Sequence, residues 1–180
     1  MPRFVAFLRA INVGGHVVKM DRLCTLFESA GLTEVSSFIA SGNILFDSKK
    51  APSRIEATIE QTLREALGYD VVTMVRSAAE VAEIVEYVDG ERLAADDGVT
   101  LYVGLLKTAP SAQSVGAVEG MSNDIDRLTI HGRELYWRCH KGFSDSTIKG
   151  PQLGKALAVP MTTRNITTVR KLAGKLAARP

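Results

Sequence analysis

The chain is poor in the residues that would assign it to a specialised class. It has two cysteines, Cys24 and Cys139, far apart and in no metal-type spacing, which excludes a disulfide framework and a zinc finger. No apolar run is long enough to span a bilayer, and the N-terminus lacks the basic, apolar, small-residue order of a secretory signal. A cytoplasmic, reducing setting with no membrane partner is therefore expected. Neither GxxxxGK[ST] nor GxGxxG occurs, so a mononucleotide P-loop and a dinucleotide fold are unsupported. Acidic residues are absent from position 146 onward, while seven Lys or Arg fall there. Such a segment can attract nucleic acid through phosphate contacts, or it can be a solvated helix face.

What is present is ordinary globular material: 180 residues, 46% of them hydrophobic, with net charge +2. "RFVAFLRAI" (3–11) is apolar on both alternations, as in a strand buried on both faces. "MDRLCTLFESAG" puts Met20, Leu23, Cys24 and Phe27 on one helical stripe and ends at Gly31, so Cys24 reads as a core thiol. "EVSSFIASGNILFDS" reads as two strands joined by a two-residue hairpin at Gly42-Asn43. A helix from Pro52 to Gly68 and a strand "DVVTMVR", begun by Asp70, complete a β-α-β-β-α-β order. Right-handed crossovers then place strands 1 and 3 at the centre of an antiparallel sheet.

The same order recurs after the helix "SAAEVAEIVEYV". "GVTLYVGLL", "PSAQSVGAVEGM", "DRLTIHGRELYWRC", "GPQLGKALAV", "PMTTR" and "NITTVRKLAGKLAAR" read as strand, helix, hairpin, helix, edge strand and closing amphipathic helix. The expected class is α+β: two tandem ferredoxin-like units, residues 1–76 and 98–180, joined by a helix and loop over 77–97. Gly42 and Gly132 are expected in matching places of the two hairpins.

This topology gathers the end of strand 1, the Gly42 hairpin and the start of the first helix at one edge. Arg9, Asn12, Gly14, Gly15, His16 and Lys19 would face Ser41, Gly42 and Asn43 there. Glycines admit close backbone approach, a helix start offers free N–H groups, and Arg9 and Lys19 bring charge: the parts of a site for a small phosphate- or carboxylate-bearing ligand. The alternatives are structural: Gly14-Gly15 as a plain turn, Asn12 bonding its own loop, Arg9 paired with Asp70. Were the site catalytic, Arg9 would orient the ligand, and His16, the nearby group titrating near neutrality, would be the acid or base.

Other chemistries are weaker. Ser41 and His16 with Asp21 or Asp47 lack the strand-turn-helix setting of a nucleophile elbow. His131, Cys139 and His140 do not make a metal site, because adjacent strand residues point to opposite faces. No cofactor or metal is expected. An RNA-binding sheet would need exposed aromatics on its central strands, and "NILFD" has one, Phe46; Trp137 in "LYWRCHK" reads as a core anchor. On the closing helix Ile166, Val169, Leu172, Ala173 and Leu176 form the buried stripe, leaving Lys171 and Lys175 outward for a nucleic-acid contact. The third reading is a protein-interaction or structural module whose glycine turns serve folding alone.

"FVAFLRAINVGG", "KM" opening the first helix, "FIASGNILF" and "TTRNITTVRKL" together resemble the bacterial family known as domain of unknown function 1697. The resemblance runs through the whole chain and implies tandem ferredoxin-like units without an assigned activity. It also implies that Arg164 and Asn165 join the candidate ligand residues. The family's strand usually reads Leu-Leu-Arg-Gly-Ile-Asn, and Ala10 stands here in place of the glycine; Phe38 and Ala40 replace its usual Tyr and Gln.

Overall fold

The computed structural model describes residues 1–12, 15, 17–39, 42–94, 98–140 and 146–178. Among them are eight strands in two four-stranded antiparallel sheets, and six helices. The chain divides into two compact units, Met1–Ala82 with Leu172–Pro180, and Glu83–Lys171.

The first unit holds β1 (Arg3–Leu8), α1 (Met20–Ser29), β2 (Thr33–Ser37), β3 (Asn43–Asp47), α2 (Pro52–Leu67) and β4 (Thr73–Ser77), with strand order β2-β3-β1-β4. β1 and β3 are central, as the crossover argument requires. Phe4, Ala6 and Leu8 on one face of β1 join Leu23, Phe27, Ile55, Ile59 and Leu63 of the two helices in one core. Phe46 is its aromatic hub, stacked on Phe4 and edge-on to Phe27 at 5.8 Å each. Val5 and Phe7, on the other face, are buried as well, so the apolar run of β1 does mark a strand covered on both sides. It is shorter than its apolar run: β1 stops at Leu8, because Ala10 turns to φ +55°.

The free edge at β4 is covered from α2. Glu56 and Glu60 lie one helical turn apart, and the outward N–H groups of Val75 and Thr73 alternate along the strand, so both periods meet. Val75 donates to Glu56 Oε1 and Thr73 to Glu60 Oε1, each at 2.8 Å. Paired in this way, the edge offers no open ladder.

α3 (Ala78–Gly90) leads into the second unit: β5 (Thr100–Leu106), α4 (Ala112–Glu119), β6 (Asp126–His131), β7 (Glu134–Cys139), α5 (Gly150–Leu157), β8 (Met161–Asn165) and the first part of α6 (Ile166–Ala177), which from Leu172 onward belongs to the first unit. Its order, β6-β7-β5-β8, repeats that of the first. Trp137 is the expected anchor: 4% exposed, its indole N–H donates to the buried Asp126 Oδ1 at 2.6 Å, and Ser146 donates to the other oxygen at 2.8 Å. Here too an edge N–H is met by a helix carboxylate, Ile130 donating to Glu119 Oε1 at 2.9 Å.

The registers can be superposed residue by residue. Leu8 N–H donates to the Gly42 carbonyl and Leu106 N–H to that of Arg133; Arg9 N–H donates to the Val72 carbonyl and Lys107 N–H to that of Pro160, all at 2.9 Å. Gly42 therefore corresponds to Arg133, one residue away from the expected match with Gly132. Arg76 and Arg164 correspond, opposite Val5 and Val103.

Candidate functional site

Two consecutive hydrogen bonds, Leu8 to Gly42 and Arg9 to Val72, draw the end of β1, the residue before β3 and the approach to β4 to one sheet edge. Gly42 sits at φ +75°, and a Cβ there would lie 2.8 Å from Ile11 Cγ2 and 3.1 Å from Leu8 Cβ. Glycine is required both by the backbone and by the space. The two-residue hairpin expected at Gly42-Asn43 is not what forms. Residues 38–42 make the connection and Asn43 belongs to β3, where Phe7 is its partner. Its buried amide donates to the Phe38 carbonyl at 3.0 Å, while Phe38 N–H donates to the Asn43 carbonyl at 2.9 Å. A short polar side chain bonding local backbone lengthens the turn by holding its base.

Beyond Leu8 the chain folds back on itself. Asn12 Oδ1 accepts from Val18 N–H at 2.7 Å, which returns the loop to the start of α1. Asn12 thus serves its own loop. Gly15 is exposed at φ +88°. Lys19 holds the N-cap position of α1 with extended backbone, and its side chain caps none of the first-turn N–H groups. Arg9 and Lys19 are both exposed, with no side-chain partner among the described residues. Asp70 lies before β4 rather than in it and pairs with Arg64, not with Arg9. Gly14, His16 and Ser41 lie outside the described residues.

These bonds bring Arg9, Asn12, Gly42 and Asn43 to one edge, with the last two committed to shaping it, and the Asn12–Val18 bond returns the chain to Lys19. Sequence reasoning missed two further members. Ala10 and Ile39 have φ +55° and +61°, a region where a non-glycine residue, above all a β-branched one, is strained. The glycine usual at position 10 of the resembled family was the available signal for the first; nothing marked the second. Ile39 and Val17 also expose apolar surface, 51% and 84%.

Arg164 and Asn165 belong to the second unit and are held by local bonds. Arg164 Nη1 donates to Thr162 Oγ1 and the Thr163 carbonyl, both at 2.9 Å. Burial pushes its guanidinium down to about 10, which still leaves it cationic at neutral pH. Asn165 Oδ1 accepts from Thr167 N–H at 2.8 Å and caps α6. Ser77, its counterpart after Arg76, caps α3: Glu80 N–H donates to Ser77 Oγ at 3.2 Å and Ser77 N–H to Glu80 Oε2 at 2.8 Å, a reciprocal capping box.

The competing chemistries lose support. Among the described residues no group of three His, Cys, Asp or Glu could hold a metal, and no helix is long and apolar enough to cross a membrane. Cys139 is buried and His140 exposed, on opposite faces as expected, while His131 stacks on Tyr87 at 4.4 Å. Asp47 lies at the far end of β3, opposite Arg3. Tyr136 and Trp137 are both buried, so β7 offers neither as a stacking platform. On α6 the stripe of Ile166, Val169, Leu172 and Leu176 is buried as expected and Ala173 half-buried. Arg170 engages Asp89 and holds its carboxyl below the usual carboxylate range, and Lys175 lies 5.2 Å from the Phe38 ring centroid.

Among solved structures, the chain is similar to conserved bacterial protein SP0830 from Streptococcus pneumoniae, with a TM-score of 0.76 and 22% identity over 99% of each chain. At that identity the likeness establishes the fold alone. No curated protein matches the sequence. The family model described as protein of unknown function (DUF1697) matches residues 1–136, three quarters of the chain, and the protein belongs to that family.

Proposed function

We propose that the protein binds a small phosphate- or carboxylate-bearing ligand at the edge where β1, the Gly42 turn and the start of α1 meet. The observation that carries this reading is the pair of exposed cations, Arg9 and Lys19, without side-chain partners among the described residues, on a loop tied back by the Asn12–Val18 bond beside a helix start that the Lys19 side chain does not cap. Arg9 and Lys19 supply charge, Gly15 and the first turn of α1 supply backbone N–H groups, and Asn12, Gly42 and Asn43 hold the frame. Each unit is read as a ferredoxin-like βαββαβ fold, supported by the two strand orders. A cytoplasmic setting is supported by the free thiols of Cys24 and Cys139. Nucleic-acid binding through α6 is the weaker reading, because Arg170 is engaged with Asp89 and Lys175 with Phe38.

Titration of the isotope-labelled chain with inorganic phosphate, acetate and nucleoside monophosphates tests the proposal by amide chemical shifts. Saturable shifts at Arg9, Gly15, Lys19 and Met20 are expected, with affinity about tenfold weaker in Arg9→Ala and in Lys19→Ala, the loss of one charge-assisted contact each. Shifts absent at millimolar ligand, or unchanged in both variants, would overturn it.

A further inference from the structure

At the opposite end of the first sheet lies a cavity of about 340 Å3, lined by Pro2, Arg3, Glu34, Asp47, Ala78 and Leu176 among others. Its frame is fixed by hydrogen bonds. Ser48 N–H donates to the Pro2 carbonyl at 3.1 Å, and Arg3 Nη1 donates to the Ala178 carbonyl at 3.2 Å, which ties β1 to the end of α6. Arg3 and Asp47 are cross-strand partners in the β1–β3 ladder. Despite that pairing, two of their buried polar atoms have no hydrogen-bond partner among the described residues: Arg3 Nε, a donor, and Asp47 Oδ1, an acceptor. Native proteins seldom leave such atoms unmet, and both residues line the cavity, so a small rotation of either side chain would offer an unmet donor or acceptor to a ligand with both senses.

Glu34 gives the cavity its charge balance. The ladder between β2 and β3 shifts between Thr33 and Ser36, and within that irregularity Glu34 takes φ +50°. Bulges of this kind re-aim side chains, and here the residue lines the cavity. Two carboxylates and one guanidinium therefore line the cavity, and Met1 lines it as well. Pro2, Ala78 and Leu176 provide apolar wall, and the volume suits a molecule of few heavy atoms.

We propose that this cavity is a second binding site, independent of the Arg9 edge, for a small zwitterion of the amino-acid class. Its carboxylate pairs with the Arg3 guanidinium, and its ammonium group with the carboxylates of Asp47 and Glu34.

The test is a titration of the full isotope-labelled chain with glycine, alanine, serine and β-alanine, with methylammonium chloride and sodium acetate as single-charge controls. The Arg3 Nε–H resonance and the amides of Arg3, Asp47 and Ala78 are followed. At least one amino acid should shift them saturably, and more tightly than either control. Asp47→Asn should weaken that binding about tenfold, as loss of one charge-assisted bond does. Because Asp47 also stands in the β1–β3 ladder, Glu34→Gln is the second variant, at an exposed position, and should weaken binding in the same direction. No response to any amino acid, a response matched by acetate or methylammonium alone, or binding unchanged in Glu34→Gln would overturn the proposal. Phosphate titration reads the Arg9 edge separately, so failure at one end leaves the other standing on its own result.

Discussion

The turns before β3 and β7 stand at the same register position and are built differently. In the second unit β6 and β7 are joined by two residues, Gly132 and Arg133, with His131 opposite Glu134. Gly132 has φ +60° in the first central position, the chemistry a tight II′ hairpin uses, and a Cβ there would meet nothing closer than 3.7 Å. In the first unit five residues do the same joining, with Ile39 strained and Gly42 enclosed by Leu8 and Ile11. The loop after β1 differs likewise: Ala10 has positive φ, while its counterpart Thr108 does not. Two residues suffice to connect the strands. The additional length and the positive-φ residues of the first unit fall at the end of β1 and before β3, next to Arg9.

Valine at the two turn glycines separates these designs most sharply. Gly42→Val adds a clash with Ile11 and Leu8 to the strain of a positive φ, and should destabilise by roughly 2–4 kcal/mol. Gly132→Val meets the strain in open space and should cost roughly 1–2 kcal/mol. Urea unfolding of both variants is the measurement. Equal losses would mean that the enclosure of Gly42 has no energetic content.

Edge protection is a feature the units share, and it predicts a smaller pair of effects. Glu56→Ala leaves the Val75 N–H without its carboxylate in a buried setting and should cost about 2 kcal/mol. Glu119→Ala, at a less buried residue, should cost about 1 kcal/mol. A loss confined to one unit would show that the two edges are not guarded alike. The helix caps come next. Ser77→Ala and Asn165→Ala should each cost about 1 kcal/mol, since each removes the oxygen at the same strand-to-helix junction. A negligible effect at either, read from the urea midpoint, would break the equivalence of β4 and β8.

Much of this arrangement was legible in the chain, for reasons that also explain what was not. Most helices announced themselves through a period of 3.6 and a glycine or proline at an end, and β1 through an unbroken apolar run, because burial imposes those patterns. The tandem order followed from their succession. The hairpin register did not, because Gly-Asn is a local signal and the Asn43 side chain spends itself on Phe38, a tertiary choice that shifts the turn by a residue. The Glu56 and Glu60 contacts were hidden for another reason: on a sequence, two glutamates one turn apart look like a solvated face. The Arg3 and Asp47 cavity left no trace either, since it is lined from five elements distant in the chain. At the candidate site, residue types gave the charge and the glycines, but only the fold separates Arg9 and Lys19, which face outward, from Asn12, Gly42 and Asn43, which hold the loops.

The smallest effect runs in the opposite direction. Ala10 stands at φ +55°, where an L side chain is strained by roughly 1–2 kcal/mol. Glycine removes that strain but gives the unfolded chain more freedom, a loss of roughly 0.4–1 kcal/mol. Ala10→Gly should therefore stabilise the protein by about 0.5–1 kcal/mol, seen as a higher urea midpoint at unchanged slope. Thr108→Gly, at the matching position without positive φ, has no strain to relieve and should destabilise by about 0.5–1 kcal/mol. Opposite signs at two positions of one register would show that the first unit carries its strain locally, at the residue next to Arg9. The same sign at both would remove strain from the account of this edge and leave the two exposed cations to carry it alone.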